Sequence, residues 1–300
     1  MIKAQNLPTY EVFITALIKA VGYSSILFVA LILFFLIREG LPALGEVPLS
    51  SLFSARWYPI ESLYGIWPLI GGSLVVTLGA MIISLPLGIG TAVFIAEVAP
   101  SWINNLVKPI IEILAGLPSV VLGFLGIQLL APSLRRIFDL PTGLTALAGS
   151  ILLAMISLPT IVTIAEDALN TVPRSYREAS LALGATRWQT IWGVTVPAGR
   201  SGILTGVMLG VGRTIGETMA VMMVTGNAPV LPSSLQAFIM PARTMTATIA
   251  SEMGEVANGS VHYHVLFFIG ILLFLISLVV NIAASSVSMK GLKRSERLLS

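Results

Sequence analysis

The sequence predicts an all-α membrane protein with six transmembrane helices, both termini cytoplasmic, and a folded cytoplasmic loop between the fourth and fifth spans. Three observations carry this. Of 300 residues, 56% are apolar or aromatic and only 10% are charged, where a soluble domain carries about 25% charged residues. Six stretches approach the ~20 apolar residues that a bilayer crossing needs. Lys and Arg are divided unevenly between the segments that join those stretches. With a mean hydropathy of +0.94, so much apolar surface is stable only where lipid replaces water as the outer solvent.

Residues 1–20 form a cytoplasmic N-terminal segment, in which Val12, Phe13, Ala16 and Leu17 line one apolar face of a short interfacial helix. The transmembrane domain covers residues 21–287. Its first span, 21–37, follows Glu11 and Lys19 with no small-residue cleavage site behind it, and is read as uncleaved. The other spans are 70–96, 110–131, 144–165, 203–225 and 265–284. The second and fifth are glycine-rich, whereas the third and fourth contain Pro118 and Pro159, so these helices pack closely or bend. Residues 288–300 make a basic cytoplasmic tail.

Orientation follows from the cations. Eleven lie on one side (Lys3, Lys19, Lys108, Arg174, Arg177, Arg187, Arg200, Lys290, Lys293, Arg294, Arg297), five on the other (Arg38, Arg56, Arg135, Arg136, Arg243), and Arg213 inside a span. The larger set belongs in the cytoplasm, and the chain in the cell membrane. Several function classes drop out. Zero cysteines exclude disulfides, thiolate nucleophiles and cysteine-held metal. His262 and His264, two apart, fall on opposite sides of a helix and offer no metal site. No hydrolase or zinc-protease motif is present, no cofactor is implied, and the basic residues border apolar spans rather than forming a nucleic-acid patch.

Residues 166–200 make the longest inner loop. Asn170-Thr171-Val172-Pro173 starts a short helix that runs from Arg174 to Leu183. Gly184 stops it, and a second short helix follows from Ala185 to Trp192, ending before Pro197. Leu181, Trp188, Ile191 and Trp192 lie on this pair outside any span and are expected to be exposed. Two readings are open: an interfacial helix pair with an aromatic anchor, or a docking surface for a cytoplasmic protein.

This loop resembles that of the permease subunits of ATP-binding-cassette (ABC) importers, whose pattern is E-A-A, three residues, G, nine residues, I-x-L-P. Here Glu178-Ala179-Ser180 precedes Gly184 at the right offset, and Val194-Thr195-Val196-Pro197 closes the pattern. Further pieces are similar to phosphate permeases of the PstC type: 206–221, ending in Thr225-Gly226-Asn227; 112–121; Leu158-Pro159-Thr160 with 166–169 behind it; and 86–97. Together they cover a MetI-like core of about residues 65–287. The resemblance implies that 166–200 is a coupling helix seated on an ATPase, with Glu178, Ala179, Gly184, Trp188, Ile191 and Pro197 as its residues. It also implies an ATPase dimer, a second permease of the PstA type, an extracytoplasmic phosphate-binding protein and phosphate as cargo. Sulfate or molybdate import is the near alternative and an ungated channel the distant one. The chain contains no G-x-x-x-x-G-K-[ST], so ATP hydrolysis falls to a partner and the chain itself is not an enzyme.

Three ionisable groups, Glu112, Arg213 and Glu217, fall within these spans. Each costs about 2.5–3.5 kcal/mol at mid-membrane and needs a partner or water. On an unbroken helix Arg213 and Glu217 pair at i,i+4, with Gly206 and Gly202 on the same face. That face is either a structural ion pair with a small-residue helix contact or the wall of an anion path, with the guanidinium as a planar fork for phosphate oxygens. Glu112 with Ser119, beside the Pro118 break, either joins that path or marks the inner membrane boundary.

Overall fold

A computed structural model describes residues 9–299 except 233, and side chains within 13–282 except 233 and 235. Lys3, Val12, Lys290, Lys293, Arg294 and Arg297, which the sequence reading used, have side chains outside the described residues. The first helix, α1 (Thr9–Gly40), is continuous, so Phe13, Ala16 and Leu17 lie on its early turns rather than on a separate interfacial helix. Two short helices, α2 (Ala43–Glu46) and α3 (Leu49–Leu52), lead into an antiparallel hairpin, β1 (Trp57–Tyr58) with β2 (Leu63–Tyr64), Trp57 opposite Tyr64. The second span, α4 (Trp67–Val93), ends in a π-helical turn, Phe94–Val98. Then come α5 (Ser101–Gly116), α6 (Ser119–Leu125), α7 (Ala131–Ile137) and the central α8 (Ala146–Asn170).

The loop that follows carries α9 (Arg174–Ala182), α10 (Arg187–Thr190) and α11 (Val196–Ala198), the last two joined by a π-helical turn. The chain returns through α12 (Arg200–Gly216) and α13 (Met219–Val224), crosses to α14 (Met245–Glu252), and finishes in α15 (Val261–Leu299). Five described helices are long and apolar enough to cross a bilayer, and a sixth crossing is counted where Arg187–Ala198 meets Arg200–Gly216 at a 69° bend.

α8 is the axis of the bundle, flanked along its length by α4 and α12. Gly206 on α12 permits the close approach. A Cβ there would meet Ile164 Cβ at 3.2 Å and the Ala165 backbone nitrogen at 3.3 Å. Three apolar clusters stack along the axis: one joining the hairpin to Met245 and Leu266, one in the middle around Val76, Leu153 and Val221, and one around Val93, Ile95, Leu169 and Ile203. The molecule therefore has a hairpin end and a loop end. Most of α1 faces outward with exposed Phe and Leu side chains, as hydrocarbon permits. Its final turns lean on α15, where Phe35 meets Phe267 edge to face at 5.5 Å.

Two expected spans are corrected. The third candidate crossing is Ser119–Ile137, not 110–131. Pro118 lacks an N–H and pushes Leu117 into extended backbone (φ −69°, ψ 130°), so α5 closes at Gly116. The fifth span, expected unbroken over 203–225, opens at Glu217 (φ −70°, ψ 132°).

Candidate functional site

At the loop end, Gly184 stops α9 with φ +86°, a conformation that glycine enters without strain. The Gly184 N–H bonds Leu181 O at 3.0 Å and the Ala185 N–H bonds Ser180 O at 3.2 Å, the paired closure of a Schellman C-cap. Thr186 then starts α10. Its hydroxyl accepts from the Gln189 N–H while the Gln189 side chain accepts from the Thr186 N–H, a reciprocal capping box. The Ser180 and Thr190 hydroxyls meet at 3.0 Å across the turn.

This short angle presents an apolar surface. Leu183 is 89% exposed, Trp188 61% and Trp192 50%, the two indoles stacked edge to face at 5.8 Å. Leu181, Glu178 and Ala179 are exposed beside them. Two expectations fail here. Ile191 is buried in the loop-end core against the bundle rather than exposed, because the helix rolls it inward. Nor does the second helix end before Pro197. The π-helical turn Ile191–Thr195 absorbs the missing N–H and Pro197 sits inside α11. Leu183 was not singled out in the sequence, although its place beside a helix-stopping glycine is the signal that would have found it.

Ion pairs fasten the loop end. Arg177 on α9 binds Glu97 in the π-helical turn after α4, Nη2 to Oε1 at 2.6 Å. Lys108 on α5 binds Glu166 on α8 at 2.7 Å, and Asn170 Nδ2 donates to the same carboxylate at 2.7 Å. Glu112 lies on α5, outside the Ser119–Ile137 crossing, and lines a cavity of about 120 Å³ with Lys108, Thr163, Glu166 and Asp167.

Arg213 and Glu217 do not pair. The helix breaks between them, and Glu217 Oε1 instead accepts from the Thr218 and Ala220 N–H groups at 3.2 and 3.3 Å, capping α13. Thr246 Oγ1 holds the Glu217 carbonyl at 3.1 Å. Arg213 stays exposed, its Nη1 3.4 Å from Thr160 Oγ1 on α8. Gly206 is buried in a close contact with α8. Where α6 meets α13, Gly123 lies against Ala220 and Met223, and Gly126 against Val224.

The hairpin end is closed differently. Glu252 accepts from Arg243 Nη2 at 2.7 Å and Trp57 Nε1 at 3.2 Å, and meets His262 Nε2 at 2.8 Å. His264 meets Glu46 at 2.8 Å, so the two histidines serve different carboxylates. Burial pushes the Tyr64 phenol up from its ordinary 10.0, with a Ser62 hydrogen bond opposing.

Relatives place this architecture. Residues 84–288 match the family described as binding-protein-dependent transport system inner membrane component. The chain is 44% identical over 235 residues to a probable ABC transporter permease protein, YqgH, of Bacillus subtilis, covering 78% of this chain and 75% of that one. It is 35% identical over 264 residues to the phosphate transport system permease protein PstC of Xylella fastidiosa, covering 82% and 80%. Among solved structures, a bacterial alginate ABC transporter superposes with a TM-score of 0.65 at 14% identity, over 94% of this chain and 96% of that one. The inward-facing MetNI methionine ABC transporter gives 0.56 at 21% identity, over 76% and 94%. The family match, the permease relatives and the shared helical fold together make this chain a multi-pass inner-membrane permease subunit of an ABC importer, a member of the binding-protein-dependent transport family.

Proposed function

We propose that this chain is the PstC-type permease of an ATP-driven importer that passes inorganic phosphate into the cell by alternating access. The observation that carries the coupling half is the exposed Leu183, Trp188 and Trp192 surface on a glycine-angled helix pair, outside the five single-helix candidate crossings. On this reading the loop end and both termini are cytoplasmic, in keeping with the eleven-to-five division of cations. The surface seats an ATPase dimer that hydrolyses ATP for the whole complex. A second permease of the PstA type completes the path, and a phosphate-binding protein delivers cargo to the hairpin end. The phosphate half rests on the several relatives named phosphate transport system permease protein PstC at 32–35% identity.

Arg213 and Glu217 serve the path separately. Free of its expected partner, the Arg213 guanidinium offers a planar fork to phosphate oxygens next to Thr160. Glu217 keeps Oε1 on the α13 amides, leaving Oε2 to accept a hydrogen bond from the P–OH that phosphate still carries at neutral pH and sulfate lacks. Ser119, at the first turn of α6, the helix that packs on α13, adds a hydroxyl. The test is uptake by the whole complex in proteoliposomes. Arg213→Gln is expected to assemble normally and lose phosphate uptake at least tenfold. Since no pair exists to be stranded, adding Glu217→Gln restores nothing. Wild-type uptake by Arg213→Gln would remove it from the path, and equal uptake of sulfate by the native complex would overturn phosphate as cargo.

A further inference from the structure

One joint at the loop end has no part in ATPase docking as described above. α9 buries none of its own side chains, so apolar packing does not hold it to the bundle. Arg177 does. Its Nε donates to Glu97 Oε1 at 3.0 Å and Oε2 at 3.3 Å, and its Nη2 to Oε1 at 2.6 Å. The same guanidinium reaches the other way, Nη2 to Leu169 O at 2.9 Å and Nη1 to Val172 O at 2.7 Å. Those carbonyls lie at and just beyond the end of α8, where helix geometry leaves acceptors without partners. One planar cation therefore joins three elements: the short helix α9, the end of α8, and the turn that ends the second span.

Two features suit this joint to passing movement on as well as fastening the helix. Arg177 and Glu97 are only 20% and 9% exposed, so the pair is shielded from water and salt and is stronger than a surface pair. Glu97 sits inside a π-helical turn, a local irregularity that can shift while the helix above it stays intact. We propose that Arg177 is the positioning residue that carries displacement of the ATPase-docking helix, through Glu97 and the α8 carbonyls, to the ends of the second and fourth spans. The proposal rests on the reading of the loop as the docking site. The fork is what the role needs, because it fixes direction as well as distance and a lysine ammonium supplies only a point charge.

The experiment uses the assembled complex in proteoliposomes and reads phosphate taken up per ATP hydrolysed. Glu97→Gln and Arg177→Gln are expected to lower that ratio at least tenfold with the ATPase still bound, and Arg177→Lys to fall between them and wild type. Because the native chain has no cysteine, Glu97→Cys with Arg177→Cys gives a clean mechanical test. Open, the pair is expected to be uncoupled. Bridged by a short bifunctional thiol reagent, it regains several-fold in uptake per ATP. An unchanged ratio in Glu97→Gln overturns the proposal. So does an assembled, bridged complex that regains nothing, or loss of ATPase binding in every variant, which would make Arg177 a residue that merely keeps the loop folded. Failure of the docking reading is separate and shows in the wild type, as a complex that captures no ATPase.

Discussion

Glu252 at the hairpin end and Glu97 at the loop end are both carboxylates held by an arginine, and their surroundings differ. Glu252 gathers Arg243, Trp57 and His262 from three separate segments, with Trp57 and Tyr64 ringed around His262 over an apolar cluster. The chain's own residues finish that end. Glu97 and Arg177 fasten a helix that buries nothing, next to Leu183, Trp188 and Trp192 standing exposed. An exposed apolar patch rimmed by charge marks an interaction surface. On the proposed reading an ATPase completes the loop end, so substitutions at the hairpin end act on stability and those at the loop end on assembly or coupling.

Gly184→Val should give the largest effect. Space is open around Gly184, so the penalty is conformational: a β-branched residue at φ +86° costs about 1–2 kcal/mol or more. The chain should insert normally while ATPase co-purification and uptake fall at least tenfold, and Gly184→Asn, which tolerates this conformation, should keep most of both. Glu252→Gln sharpens the contrast from the other end. Removing the charge opposite a mostly buried Arg243 is expected to cost about 1–3 kcal/mol, read as a lower unfolding midpoint in detergent with ATPase capture intact. A fall in capture with no change in midpoint would erase the distinction between the ends. Smallest is Thr186→Ala, which removes one half of the α10 capping box at about 1 kcal/mol. ATPase binding should weaken by roughly fivefold, with the midpoint of the bundle unmoved.

How much of this was legible depends on how far apart the interacting residues lie. The angle at Gly184 was readable because the helix start at Asn170–Pro173 and the helix-stopping glycine act within a few residues; the Thr186–Gln189 capping box beyond it, equally local, was not read. Pro118 likewise announced a bend. Its span was misplaced because hydropathy runs on through 110–131, whereas Pro118 ends α5 and moves the crossing to Ser119–Ile137. The break at Glu217 carries no proline: its carboxylate turns to cap α13 one to three residues on, and a distant contact, Thr246, 29 residues on, holds its carbonyl. That is why the i,i+4 pairing with Arg213 was expected and is not there. Arg177 and Glu97 are 80 residues apart and were read only as an inner cation and the edge of a resembling segment. Ile191 followed the same rule: an apolar residue beside two tryptophans reads as exposed until the rest of the bundle is in place to bury it.

The central claim, that the loop end is completed by an ATPase, is tested most directly by placing single cysteines in this cysteine-free chain and cross-linking in native membranes. With the transporter's ATPase co-expressed, Leu183→Cys and Trp188→Cys are expected to cross-link to it in high yield, while Phe28→Cys, equally exposed on α1, gives none. Cross-linking from position 28 with none from 183 or 188 would contradict the account.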